Sequence, residues 1–172
     1  MISYLYDVSN IYTYLNFLVK EDQPEIYYYN QYLKLGPVKE AIHSGNRNFG
    51  EQTGSVRRYL NDDDMKSVKP WIEDILNAGI KTIFYNGHLD IIIPFPKTVQ
   101  FLNELNWEHR EEFRNASRQI WRLGENLAGY AVQYGALSLV MVHASGHMVP
   151  HDQPEAGLDL VNKFITGDKF GL

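Results

Sequence analysis

Two short apolar runs, Ile80-Lys81-Thr82-Ile83-Phe84-Tyr85 and Leu137-Ser138-Leu139-Val140-Met141-Val142, have the length and β-branched content of buried strands. Each runs out into residues that let a chain turn. The first reaches Asn86-Gly87, which reads as a break, and Asp90 follows in the loop before apolar Ile91, Ile92 and Ile93. The second ends at Ala144, Ser145 and Gly146, leaving His147 at a strand end. Gln119–Leu123 and Tyr130–Tyr134, the latter preceded by strand-compatible residues from about 127, predict two further strands, with turns at Gly124 and Gly135. After the histidine, Asp152-Gln153-Pro154-Glu155 reads as a helix start with Asp as N-cap, Pro at the first position and Glu as capping-box partner. Leu158, Val161, Phe164 and Ile165 then form its apolar stripe, and Gly167 stops it.

Elsewhere the apolar period is helical. Val8, Ile11, Tyr12, Leu15 and Leu18 fall at helical spacing, Pro37 opens a short helix carrying Val38, Ala41 and Ile42, and Gly45 to Gly54 reads as loop. Met65, Val68, Ile72, Ile75 and Leu76 make another stripe that closes at Asn77-Ala78-Gly79, and Val99, Leu102 and Leu105 suggest a helix anchored by Trp107. The length suits one domain over 1–172, mostly helical over about 1–64 and carrying the strands over about 65–167.

Composition narrows the function classes. A net charge of −5 with no basic patch argues against nucleic acid as a partner, and no apolar run approaches the roughly 20 residues that cross a bilayer. There is no cysteine, so no disulfide is expected. His43, His88, His109 and His151 show no metal-ligand spacing, and no metal or cofactor is expected. The cluster Tyr27-Tyr28-Tyr29 with Tyr32 is more simply packing than a ligand platform.

The candidate chemistry lies in the two strand-terminal loops. A histidine acting as general base needs a buried carboxylate on one ring nitrogen to fix its tautomer, and Asp90 before His147 matches the Ser…Asp…His chain order of α/β-hydrolases. No Gly-x-Ser-x-Gly occurs in the 172 residues, and Ser145 lacks a strand-to-helix elbow. Taken singly, a histidine after a strand is more often a hydrogen-bonded structural residue, and an aspartate after Asn-Gly a turn former.

The longer strings shift that balance. Gly146-His147-Met148-Val149-Pro150-His151-Asp152-Gln153-Pro154 and Tyr85-Asn86-Gly87-His88-Leu89-Asp90, with Ser67–Trp71, Ala128-Gly129-Tyr130 and Asn162–Ile165 in the same order, resemble the serine carboxypeptidase family, notably its vitellogenic-like and venom members, from about Tyr4 to Gly167. The resemblance implies the C-terminal part of an α/β-hydrolase fold. It also implies Asp90 and His147 as the second and third triad members, and Met148 lining the pocket beside the reacting peptide bond. The expected activity is removal of C-terminal residues from a peptide substrate through an acyl-enzyme. The nucleophile would come from an N-terminal carboxypeptidase segment as partner, so the 172-residue chain alone is expected to be inactive.

The resemblance further implies a secreted or lysosomal setting, in which Asn115-Ala116-Ser117 becomes a glycosylation acceptor at Asn115. Met1-Ile2-Ser3-Tyr4 has none of the features of a secretory leader, which predicts an internal methionine of a longer protein or a misplaced gene start. The rival reading is a non-catalytic truncated paralogue acting as a binding or interaction module.

Overall fold

The computed structural model describes residues 7–50 and 53–171; Met1-Ile2-Ser3-Tyr4 lie outside them. The chain forms two compact units, one made of the segment up to Glu21 together with Lys69 onward, the other of Asp22–Val68. The helical segment expected over about 1–64 is thus divided, and its first part belongs with the sheet.

The sheet unit holds four strands, β1 (Thr82–Gly87), β2 (Gln119–Leu123), β3 (Asn126–Tyr134) and β4 (Leu137–Val142), in the order β1-β4-β3-β2. β2, β3 and β4 run as an antiparallel meander whose turns place Gly124 and Gly135 at φ +58° and +54°, a conformation that favours glycine. β1 joins β4 in parallel, from Thr82↔Leu137 to Gly87↔Val142. The run from 80 to 85 is therefore displaced: Asn86 and Gly87, expected to break the strand, are its last two residues.

β4 is covered on both faces, as its nearly continuous apolar run, interrupted only by Ser138, foretells. Val140 and Val142 pack with Trp121, Ala131 and Leu160 on one side, whereas Leu137 and Leu139 pack with Leu76, Leu102, Leu105, Trp107 and Phe113 on the other. The second side is built by α4 (Lys69–Asn77), α5 (Phe95–Glu104) and α6 (Arg110–Asn115); the first by α8 (Pro154–Thr166), which follows a one-turn α7 (Val149–Asp152). The 22–68 unit carries a 3₁₀ turn at Pro24–Tyr27, α1 (Tyr28–Tyr32), α2 (Gly36–Ala41) and α3 (Thr53–Asp64).

Several sequence expectations need correction. Residues 10–21 form turns and loop where a helix was expected, because Thr13 and Asn16 side chains accept nearby backbone N–H groups and compete with the helical ladder. Met65 and Val68 lie outside α4 and are exposed. Thr53 and Gly54 begin α3, so the loop expected to end at Gly54 ends sooner. The α8 stripe was placed on the wrong face: Leu158, Val161 and Ile165 are exposed, Ala156 and Leu160 pack into the core against the sheet, and Gly157 is buried against Pro150. Asp152 is not the cap of α8, whose N-cap is Gln153 without a side-chain bond; the Asp152 carboxylate is engaged elsewhere. Gly167 does end α8, at φ +82°.

Candidate active site

Two parallel neighbours end at the same edge of a sheet, so the loops leaving β1 and β4 emerge side by side. The backbones then zip together. His88 N–H donates to Val142 O at 2.9 Å and Leu89 N–H to Ser145 O at 2.7 Å. Gly87 makes this possible, since a Cβ there would lie 2.0 Å from Gly146 O.

That approach brings together side chains 57 residues apart: His147 Nδ1 lies 2.9 Å from Asp90 Oδ2. Asp90 is held by its own loop, Oδ1 accepting the N–H groups of Ile92 at 2.8 Å and Ile93 at 3.1 Å. Its side chain is 3% exposed and that of His147 33%. An ionised carboxylate can only accept, so Nδ1 carries the proton, and Nε2 is left with the lone pair on the more accessible partner. A cavity of about 540 Å³ adjoins the pair, lined by His147, Asp90, Phe84, Tyr85, Phe101 and Val149 among others. An oriented, partly accessible imidazole beside an apolar cavity can take a proton from a neighbouring hydroxyl and return it.

The expected site residues Met148 and Asn115, and Ser145, which was not expected to act, fall as follows. Met148 is exposed beside His147, apart from the residues lining the cavity. Ser145 is fully buried, its hydroxyl donating to Gly146 O at 3.0 Å. Asn115 is exposed at the end of α6, its Nδ2 donating to Glu111 O at 2.8 Å. Among the described residues no group of three or more His, Asp or Glu side chains suits a metal ion, and no helix is long and apolar enough to cross a membrane.

The residues that brace the pair went unread in the sequence. Asn86, taken for a turn marker, is a buried strand residue whose Nδ2 donates to Ile93 O at 2.9 Å and so secures the Asp90 loop. Asp152 Oδ2 accepts Gly146 N–H at 2.7 Å and steadies the histidine loop. Alternation along Thr82–Gly87 carried a signal for Asn86; Asp152 carried none, because its partners are set by the fold.

The model of the family described as serine carboxypeptidase matches residues 8–167. The chain belongs to the serine carboxypeptidase family. It is 36% identical over 168 residues to the probable serine carboxypeptidase CPVL of Homo sapiens, covering 96% of this chain and 35% of that protein. With the venom serine carboxypeptidase of Apis mellifera it shares 38% identity over 158 residues, 91% of this chain and 34% of the relative. The chain thus spans about a third of the length of the curated relatives it matches. A solved prohormone-processing carboxypeptidase of Saccharomyces cerevisiae superposes with a TM-score of 0.70 at 20% identity, over 90% of this chain and 36% of the other. This serine carboxypeptidase chain therefore has the fold expected of it, part of an α/β-hydrolase, with a mixed sheet and flanking helices.

Proposed function

We propose that this chain supplies the aspartate and histidine of a serine carboxypeptidase whose serine nucleophile comes from a segment beyond these 172 residues. The carrying observation is the 2.9 Å contact between His147 Nδ1 and a carboxylate whose other oxygen is already fixed by two loop amides. In this reading Nε2 of His147 takes the serine proton as the hydroxyl attacks the last peptide carbonyl, then returns it to the departing amine. The resulting acyl-enzyme is opened by water, which His147 activates in the same way. Asp90 keeps the ring in the productive tautomer and stabilises the imidazolium; it takes up no proton itself.

The substrate is a peptide cut at its C-terminal residue, with Met148 beside the reacting bond, and no cofactor takes part. The 22–68 helical unit is an insertion-like part of the same catalytic domain. A secreted or lysosomal setting would make Asn115, exposed at a helix end, a glycan carrier.

Fusion supplies the test. The preceding part of the Apis mellifera relative, joined ahead of this chain, should release C-terminal amino acids from a blocked dipeptide and be silenced by a serine-directed reagent, while this chain alone releases none. A folded but inactive fusion would overturn the proposal. Release by this chain alone, blocked by the same reagent, would instead place the nucleophile within it.

A further inference from the structure

Residues 12–20 form a small closed loop. Tyr12 N–H donates to Lys20 O at 2.6 Å, and Val19 N–H to Asn16 O at 3.1 Å. Thr13 Oγ1 accepts Leu15 N–H at 3.0 Å and Asn16 Oδ1 accepts Leu18 N–H at 3.1 Å. Three bonds leave this loop for the candidate site. Leu15 O accepts the His147 N–H at 2.6 Å and Phe17 N–H donates to Leu89 O at 3.1 Å. Asn16 Nδ2 donates to Asp152 Oδ2 at 3.0 Å, the same oxygen that accepts Gly146 N–H. Three consecutive residues therefore hold the loop of His147 and the loop of Asp90 at once. The contact is close: a Cβ on Gly146 would lie 2.2 Å from Leu15 O and 2.5 Å from Asn16 Cβ.

We infer that Leu15-Asn16-Phe17 is a strap that sets His147 against Asp90, fastened by Asn16 to Asp152, and that Asn16 is a positioning residue for the acid–base pair. This rests on reading Asp90 and His147 as such a pair. The sheet alone does not dictate where His147 sits, since β4 ends at Val142 and the connecting residues include Ala144 at φ +53°. The first backbone group of His147 is instead held by Leu15. Asparagine suits the fastening because one side chain must donate to Asp152 and accept from Leu18. Aspartate there would set carboxylate against carboxylate, and alanine would leave the Leu18 amide without its side-chain acceptor.

The experiment uses the 172-residue chain with ¹⁵N-labelled histidine, the His147 ring being assigned by its disappearance in His147→Gln. In the parent chain the ring nitrogens should report the Nδ1–H tautomer. Asn16→Ala should shift them to the mixture of a free imidazole, while the amides of β3 and β4 keep their protection from hydrogen exchange. Asn16→Asp keeps the acceptor for the Leu18 N–H and removes only the donor to Asp152, so it should shift the ring nitrogens as Asn16→Ala does, which a mere loosening of the Leu18 turn would not produce. Parent-like nitrogens in Asn16→Ala or in Asn16→Asp would overturn the strap. Loss of β4 protection in both variants would also overturn it, making the segment a general part of the fold. An unbiased tautomer in the parent chain would sink the acid–base pair itself, which separates that failure from the strap's.

Discussion

The sheet unit and the 22–68 unit both carry abundant apolar residues, yet they use them in opposite ways. In the first, β4 alone buries Leu137, Leu139, Val140 and Val142. In the second no residue of described burial is buried, and Tyr27, Tyr28, Tyr32, Val56, Tyr59 and Leu60 all stand exposed. The difference is one of backing. A central strand offers two faces to helices that cross it, whereas helices of five and six residues such as α1 and α2 are too short to stand without a surface to cover. Tyr29 against Phe49, edge to face at 5.6 Å, is a local contact of that unit and not a core.

The chemistry follows the same division, for Asp90 and His147 both hang from strands of the buried sheet. The sharpest break is therefore in catalysis. In the active fusion, His147→Ala should abolish turnover, and Asp90→Asn should lower kcat by about 10⁴-fold, because an amide nitrogen in place of Oδ2 cannot accept the Nδ1–H hydrogen bond and the wrong tautomer is favoured. Steady-state kinetics on folded protein decides; near-normal turnover in either variant removes that residue from the machinery and with it the assignment of the chemistry to the sheet unit.

A smaller effect tests the core. Trp121 is fully buried and its Nε1 donates to Asp159 Oδ2 at 2.7 Å, so Trp121→Ala should cost about 3–5 kcal/mol, chiefly through the cavity it leaves. Denaturant unfolding followed by far-UV circular dichroism reads this, and a loss below about 1 kcal/mol would show a looser sheet than the burial implies. The smallest effect belongs to the other unit. Tyr59, 82% exposed, should tolerate alanine within about 0.5 kcal/mol by the same measurement. A larger loss would mean that the 22–68 unit is covered by something in solution, and the contrast between the units would narrow.

How much was legible beforehand depends on how local each cause is. β2 and β4 were readable to the residue because short β-prone runs that meet a glycine turn, β2 ending at Gly124 and β4 starting after Gly135, leave few alternatives. β1 was displaced by two residues because Asn-Gly is an ordinary turn signal, and only its partner β4 keeps both residues extended. The helix over 154–166 was legible, but the face it buries was not. The small residues Ala156 and Gly157 fit closely where larger ones would not, a Cβ on Gly157 meeting Pro150 Cα at 3.3 Å.

By itself the sequence determined the alternation of strands and helices, the residue types that chemistry needs and the family to which the chain belongs, because each is written in local spacing or in contiguous strings. Tertiary structure alone decided that Asp90 meets His147 at 2.9 Å across 57 residues, and that Asn16 fastens Asp152 across 136. Such bonds leave no periodic trace, since a side chain's distant partner is set by where the backbone returns and not by its neighbours in the chain. Asp152 shows the cost of reading locally: four residues suggested a helix cap, and a parallel strand pair with a strap from the other end of the chain made it a brace for the histidine loop.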